Sequence, residues 1–274
     1  MKKVNNISQP TKTNPFTEPQ KEPKIAQRWL SPSSINAYIR CPRKFYYSKI
    51  LKLKQKPSIY LIRGIAVHST IHKFYKHGIN RCANMDYGHL IRTVTDLLKY
   101  EWLAWKKSLL ELDLKEDEMA FYFHDTKKMV INFVHDFLKD RQFEAPEPTL
   151  EKTFFSKTFM TLGRIDAIHH NHDPPLLVDY KTSKSKELLD DYKRQLGIYA
   201  LLYKEKTGTV PIVGIHFLKF KDGLKKYRIT PVYLKKIKAL ITEIHTKTQS
   251  ETMEDYQCKC GWCHKNFELK TAKK

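Results

Sequence analysis

Asp179 and Lys181 stand one residue apart at the end of the run Leu176-Leu177-Val178-Asp179-Tyr180-Lys181, and Asp166 lies upstream in Gly163-Arg164-Ile165-Asp166-Ala167-Ile168. Both runs have the β-branched and apolar character of strands. Side chains alternate along a strand, so Asp179 and Lys181 share one face while Val178 and Tyr180 share the other. If the two strands are neighbours, Asp166 and Asp179 converge on one point. Two facing carboxylates repel unless a cation lies between them. Hard oxygen donors select Mg²⁺ or Mn²⁺. Such an ion polarises a phosphodiester and lowers the pKa of its bound water. Lys181, on the same face as Asp179, would orient the attacking water and steady charge developing on phosphate. The plainer alternative is a solvated strand face carrying an Asp–Lys ion pair, and a three-residue pattern alone does not decide between them.

The elements that must position these residues follow from periodicity and breakers. Ser31-Pro32-Ser33-Ser34 caps a helix containing Ile35, Tyr38 and Ile39. Further helices are expected from Gly64 through Tyr75, over 88–110 and over 119–140, with an acidic loop at 111–118. Strands are expected at 149–159, 161–170 and 175–182, the first two as a hairpin. A helix at 187–206, strands at 210–220 and 224–230 around Asp222-Gly223, and a helix opened by Pro231 complete the pattern. This is a helical N-terminal half on an α/β core. Residues 1–29, poor in apolar side chains, read as a disordered tail, and 30–274 as one unit.

Charge narrows the partners. Fifty Lys and Arg against 29 Asp and Glu leave a net +21 over 274 residues, which favours a polyanion through counterion release. A Lys-rich solvated surface is the alternative. Arg40, Arg43, Lys44, Lys49, Lys52, Lys54 and Lys56 interleave with Phe45, Tyr46, Tyr47 and Tyr60. Bases and aromatics together suit single-stranded nucleic acid, and Arg43, Lys44, Tyr46 and Tyr47 are the contacts expected from this stretch. The same aromatics would serve equally as core. No apolar run reaches the roughly 20 residues of a membrane span and no apolar leader follows Met1, so a soluble, cytoplasmic protein is expected.

Three other groups carry chemistry. Gln195 and Tyr199 lie at i and i+4 on one helix face; burial explains the surrounding leucines but not a glutamine. His68 and His72 share another helix face, without the glutamate that a helical zinc motif contains. Of five cysteines, Cys258, Cys260 and Cys263 fall within six residues, a spacing that raises metal ligation; Cys41 and Cys82 stand apart.

Taken together, these segments resemble a family. An Asp, a dozen residues and an Asp-x-Lys ending an apolar strand look like the core of the PD-(D/E)XK nucleases. From about residue 30 to 267 the chain is similar to the RecB-like branch, which includes CRISPR-associated RecB-like exonucleases and the nuclease domains of helicase–nucleases. The matching segments, in order, are Leu30-Ser31-Pro32-Ser33-Ser34 with Tyr38 and Cys41-Pro42-Arg43-Lys44-Phe45-Tyr46-Tyr47, then Gly64-Ile65-Ala66-Val67-His68, then Gln195-Leu196-Gly197-Ile198-Tyr199, then the closing cysteines.

The resemblance implies a restriction-endonuclease-like α/β fold with a mixed central sheet flanked by helices. It implies a metal held by His68, Asp166 and Asp179, an acid at Glu151 reaching it through water, and Gln195 and Tyr199 beside the site and the DNA. It implies a 4Fe–4S cluster on Cys41, Cys258, Cys260 and Cys263. The cysteine spacing departs from the family's, because Leu269 stands where the last cysteine is usual; zinc, or no metal, are the alternatives. The activity implied is a Mg²⁺- or Mn²⁺-dependent DNA exonuclease, acting on single strands in repair, recombination, replication or CRISPR adaptation, with a helicase or CRISPR adaptation partner. A structure-specific endonuclease and a non-catalytic DNA-binding subunit are the competing readings.

Overall fold

The computed structural model describes residues 28–53, 57–77, 86–140, 144–258 and 260. Strands β1 (Thr149–Ser156), β2 (Thr161–His169), β3 (Leu176–Lys181), β4 (Ile212–Phe217) and β5 (Leu224–Arg228) form one sheet in that spatial order. The β1–β2, β2–β3 and β4–β5 pairs are antiparallel, and β3–β4 is parallel. A parallel pair needs a crossover, and helix α7 (Asp190–Thr207) supplies it. Gly208, left-handed at φ 80°, ends that helix where a Cβ would be strained.

Among the described residues, six α-helices precede the sheet: α1 (Pro32–Arg40), α2 (Pro42–Phe45, continuing as a π-turn over Tyr46–Ile50), α3 (Ile59–Lys76), α4 (Tyr87–Leu103), α5 (Lys106–Leu110) and α6 (Glu116–Lys139); α8 (Pro231–Lys247) follows it. The sheet is the middle layer. Val178 and Tyr180 join a core built from α3, α4 and α6, while Leu177, Val213 and Ile215 join a second core with α7 and α8. Both faces of β3 are therefore covered, which is why its sequence is a nearly continuous apolar run. The α/β class with a mixed, helix-flanked sheet agrees with the expectation from sequence.

Several boundaries differ from it, three of them in the helical half. Helix α3 begins at Ile59, capped by Ser58, whose side chain accepts from Leu61 N; Gly64 is inside the helix rather than at its start. The helix expected over 88–110 breaks at Ala104-Trp105 into α4 and α5. The acidic segment expected as a loop supplies the first turn of α6, where Glu116, Asp117 and Glu118 complement the helix dipole and Glu118 accepts from Lys115 N at 3.0 Å.

Arg28, assigned by composition to the tail, donates to Thr248 O at 2.5 Å and pairs with Glu251. Residues 1–27, Cys82, Cys263 and the chain after 260 lie outside the described residues. Among the described residues no helix is long and apolar enough to cross a membrane.

Candidate active site

The register brings three acids into line. Ala167 faces Val178 across β2–β3, so Asp166 and Asp179 are next in step on neighbouring strands. On the other side, Leu150 faces Ala167 and Lys152 faces Ile165, which sets Glu151 level with Asp166. Glu151 holds φ at 46°, a left-handed conformation that costs a non-glycine residue on the order of 1–3 kcal/mol.

Asp179 is 2 % exposed. Its Oδ1 accepts from Gln195 Nε2 at 2.7 Å, and the Lys181 ammonium lies 2.7 Å from its Oδ2. Burial, with the Asp166 charge, pushes the Asp179 carboxyl up against the pull of Lys181. Burial acts on Asp166 in the same sense, but hydrogen bonds from His68 and from Tyr180 N–H, 2.9 Å from its Oδ2, hold that carboxyl below its ordinary value. Burial works against the Lys181 charge, yet Asp179 outweighs it and raises the ammonium pKa.

Gln195 is the joint of this network. Its Oε1 accepts from Lys181 Nζ at 2.9 Å, and its Nε2 donates both to Asp179 and, at 2.8 Å, to Tyr199 Oη. Helix α7 holds it at this point because α1 is tied to the same helix: Arg194 Nε donates to Asn36 Oδ1 at 2.8 Å, and Asn36 Nδ2 donates to Asp191 O at 3.0 Å. The capping box between Ser31 and Ser34 starts α1 where those bonds need it. The Tyr199 ring lies over Gly163, where a Cβ would come within 3.0 Å of its Cδ1 and Cε1.

His68 arrives from α3. Its Nε2 is 3.0 Å from Tyr180 O, and its Nδ1 is 3.4 Å from Asp166 Oδ2. A carbonyl only accepts, so Nε2 carries hydrogen. In the neutral ring Nδ1 then presents a lone pair to a carboxylate, an arrangement that needs a proton or a cation between them. Burial opposes the imidazolium, but Asp166 and Asp179 outweigh it and raise the His68 pKa. Two carboxylates and an imidazole nitrogen converging in this way form a donor set that fits a divalent cation.

The remaining predicted residues are placed as follows. Glu151 borders the same cleft as His68; its Oε2 is 3.5 Å from His72 Nδ1 and 3.8 Å from Arg164. Cys41, Cys258 and Cys260 converge, with sulfur separations of 3.1, 3.5 and 3.5 Å. Of the expected DNA contacts, Lys44 lines a cleft of about 430 Å³ beside Lys181 and Gln195. Two of the other three are corrected. Tyr46 and Tyr47 are buried in the α7–α8 core, so their faces are not open to bases, and Arg43 Nε donates to Tyr256 O at 3.0 Å. Lys54 and Lys56 lie outside the described residues.

Sequence reasoning missed the main chain of Tyr180, which binds His68 by its carbonyl and Asp166 by its N–H; backbone groups leave no signal in residue type. It assigned His72 no role beside Glu151, because that pairing joins residues far apart in the chain.

Known proteins resemble this chain to different degrees. The Gene 69 protein of Mycobacterium phage L5 is 25 % identical over 284 residues, spanning 89 % of this chain and 96 % of that protein. The crystal structure of a Eubacterium rectale protein named "Putative exonuclease" has the same fold, with a TM-score of 0.55 and 14 % identity over 94 % of this chain and 96 % of that one. Residues 29–265, which include every acid of the site, match the PD-(D/E)XK nuclease superfamily, and the chain belongs to it.

Proposed function

We propose that the chain is a divalent-metal-dependent deoxyribonuclease of the RecB-like branch, an exonuclease acting on single-stranded DNA ends. The observation that carries this reading is the convergence of Asp166 and buried Asp179, with Lys181 2.7 Å from Asp179, at one end of β3. PD-(D/E)XK nucleases typically use Mg²⁺ or Mn²⁺, and here Asp166, Asp179 and His68 would hold it. When bound, the ion supplies polarisation of the phosphodiester and acidification of the attacking water.

The chain's own groups do the rest. Lys181 places a positive charge where the phosphate gains negative charge. Gln195 holds that ammonium in place through its Oε1 and keeps Asp179 aligned through its Nε2. Tyr180 O fixes the His68 ring, so Nδ1 is the nitrogen turned to the acids. Glu151 stands level with Asp166 and reaches the site through water. The order of the Leu30–Tyr47, Gly64–His68 and Gln195–Tyr199 segments supports the RecB-like assignment.

The test is cleavage of end-labelled single- and double-stranded DNA by wild type and Asp179→Ala, with Mn²⁺ or Mg²⁺ and with EDTA. Metal-dependent cleavage absent from the variant supports the reading, and the product ladder separates an exonuclease from a structure-specific endonuclease. If neither protein cuts and both bind DNA equally, a non-catalytic DNA-binding subunit takes its place.

We propose in addition that Cys41, Cys258 and Cys260, with Cys263 as fourth thiolate, hold a 4Fe–4S cluster or Zn²⁺. Such a centre would tie together chain segments 217 residues apart. Iron and zinc content of the purified protein, with Cys41→Ser as control, decides between them.

A further inference from the structure

Tyr60 is 55 % exposed, yet its ring is held. Tyr122 meets it edge-on at 6.0 Å between centroids. The Arg63 guanidinium lies 6.0 Å from the Tyr60 centroid and 5.5 Å from that of Tyr122. Arg63 is itself buried, paired with Asp125 and donating from Nε to Thr126 Oγ1 at 3.1 Å. Lys184 stands 5.8 Å from the Tyr60 centroid. An exposed aromatic ring fixed by a buried arginine loses little freedom when something stacks on it.

Tyr60, Gly64 and His68 are spaced by four residues on α3, which puts them along one side of the helix. They line one cleft of about 300 Å³ with Glu151 and Arg164. Glycine inside a helix is unfavourable relative to alanine, and packing does not account for it here: a Cβ built on Gly64 would meet nothing within 4 Å. The glycine lowers the floor of the cleft between the Tyr60 ring and His68. Tyr60 and His68 are separated by about 12 Å of helix axis, a few nucleotides at most. Arg164, its side chain 64 % exposed, and Lys184 supply positive charge along this path.

We propose that Tyr60 is a stacking platform for a nucleobase of single-stranded DNA, whose backbone passes over Gly64 toward His68. The proposal rests on the nuclease reading of the Asp166–Asp179 site and names how that site's substrate is held. An aromatic face takes any base, so this contact is sequence-tolerant, and it requires an unstacked base, so it selects single strands over duplex.

The experiment is binding in EDTA of single-stranded oligonucleotides carrying 2-aminopurine at successive positions from one end, and of a blunt duplex. Wild type, Tyr60→Leu, Tyr60→Trp and Gly64→Leu are compared, with thermal melts confirming that each folds. The expected result is fluorescence quenching at one position, kept in Tyr60→Trp and lost in Tyr60→Leu. Single-strand affinity falls roughly tenfold or more in Tyr60→Leu and also falls in Gly64→Leu, while duplex affinity of Tyr60→Leu stays at the wild-type value. Unchanged quenching and single-strand affinity in Tyr60→Leu overturns the proposal. Hydrolysis of bis(p-nitrophenyl) phosphate with Mn²⁺, which offers no base to stack, is measured in parallel. Its absence in wild type counts against the nuclease reading alone, and equal rates in wild type and Tyr60→Leu place the tyrosine in binding rather than chemistry.

Discussion

Gln195 donates from Nε2 to Asp179 Oδ1 at 2.7 Å while its Oε1 accepts from Lys181 at 2.9 Å. One amide therefore holds an acid and a cation of opposite demands at the same end of β3. An amide suits this position because its oxygen accepts and its nitrogen donates, side by side on one planar group.

Replacing that amide should weaken chemistry more than binding. Gln195→Ala is expected to lower kcat by about 10- to 100-fold, the usual cost of losing a group that orients a metal ligand, with KM for DNA little changed. Gln195→Glu is expected to lose more, because its carboxylate faces Asp179 without a hydrogen to donate. Steady-state kinetics with Mn²⁺ check both; a KM effect with unchanged kcat contradicts the positioning role.

Divalent metal should stabilise the fold through the same acids. At a Mg²⁺ or Mn²⁺ concentration 100 times Kd, linkage predicts about 2.7 kcal/mol of added stability. Thermal denaturation with and without EDTA should show this rise in Tm for wild type and its loss in Asp166→Asn. An equal rise in both proteins places the metal elsewhere.

Gly163 should be intolerant of a side chain because of Tyr199. A Cβ there would stand 3.0 Å from the Tyr199 ring and 3.1 Å from Leu202 Cδ1, and crowding of this kind costs about 1–3 kcal/mol. Gly163→Ala should lower stability in urea denaturation and reduce activity by displacing the partner of Gln195. In the double variant with Tyr199→Leu, the second change should recover part of the stability lost to the first; strict additivity shows the two sites to be independent.

Acid should destabilise the protein through His169. The side chain is 8 % exposed, and burial, with the positive charge of Lys226 and neighbouring histidines, pushes its pKa down from 6.5 to about 4. Between those values the unfolded chain binds a proton that the folded chain refuses. The contribution is complete above pH 6.5 and is lost as pH falls toward 4, amounting to about 3 kcal/mol. Urea denaturation at pH 7.5 and pH 5 should show this slope in wild type and a shallower one in His169→Leu.

Much of this was legible in residue order. Asp166, Asp179 and Lys181 declare themselves because strand alternation is a property of the local backbone, and the spacing of Gln195 and Tyr199 does so because helix periodicity is too. The apolar run from Leu176 to Val178 announces a strand covered on both faces, and so the α/β class. Tertiary structure decided what lies beyond that range. Arg43, Tyr46, Tyr47 and Tyr60 belong to one basic, aromatic stretch, yet Tyr46 and Tyr47 are buried, Arg43 Nε bonds Tyr256 O, and Tyr60 stands in the open. Glu151 turns to His72 rather than directly to the other acids, and His68 is fixed by the backbone of Tyr180, 112 residues away. Burial and pairing are settled by which surfaces pack together, and composition along a segment carries no record of that choice.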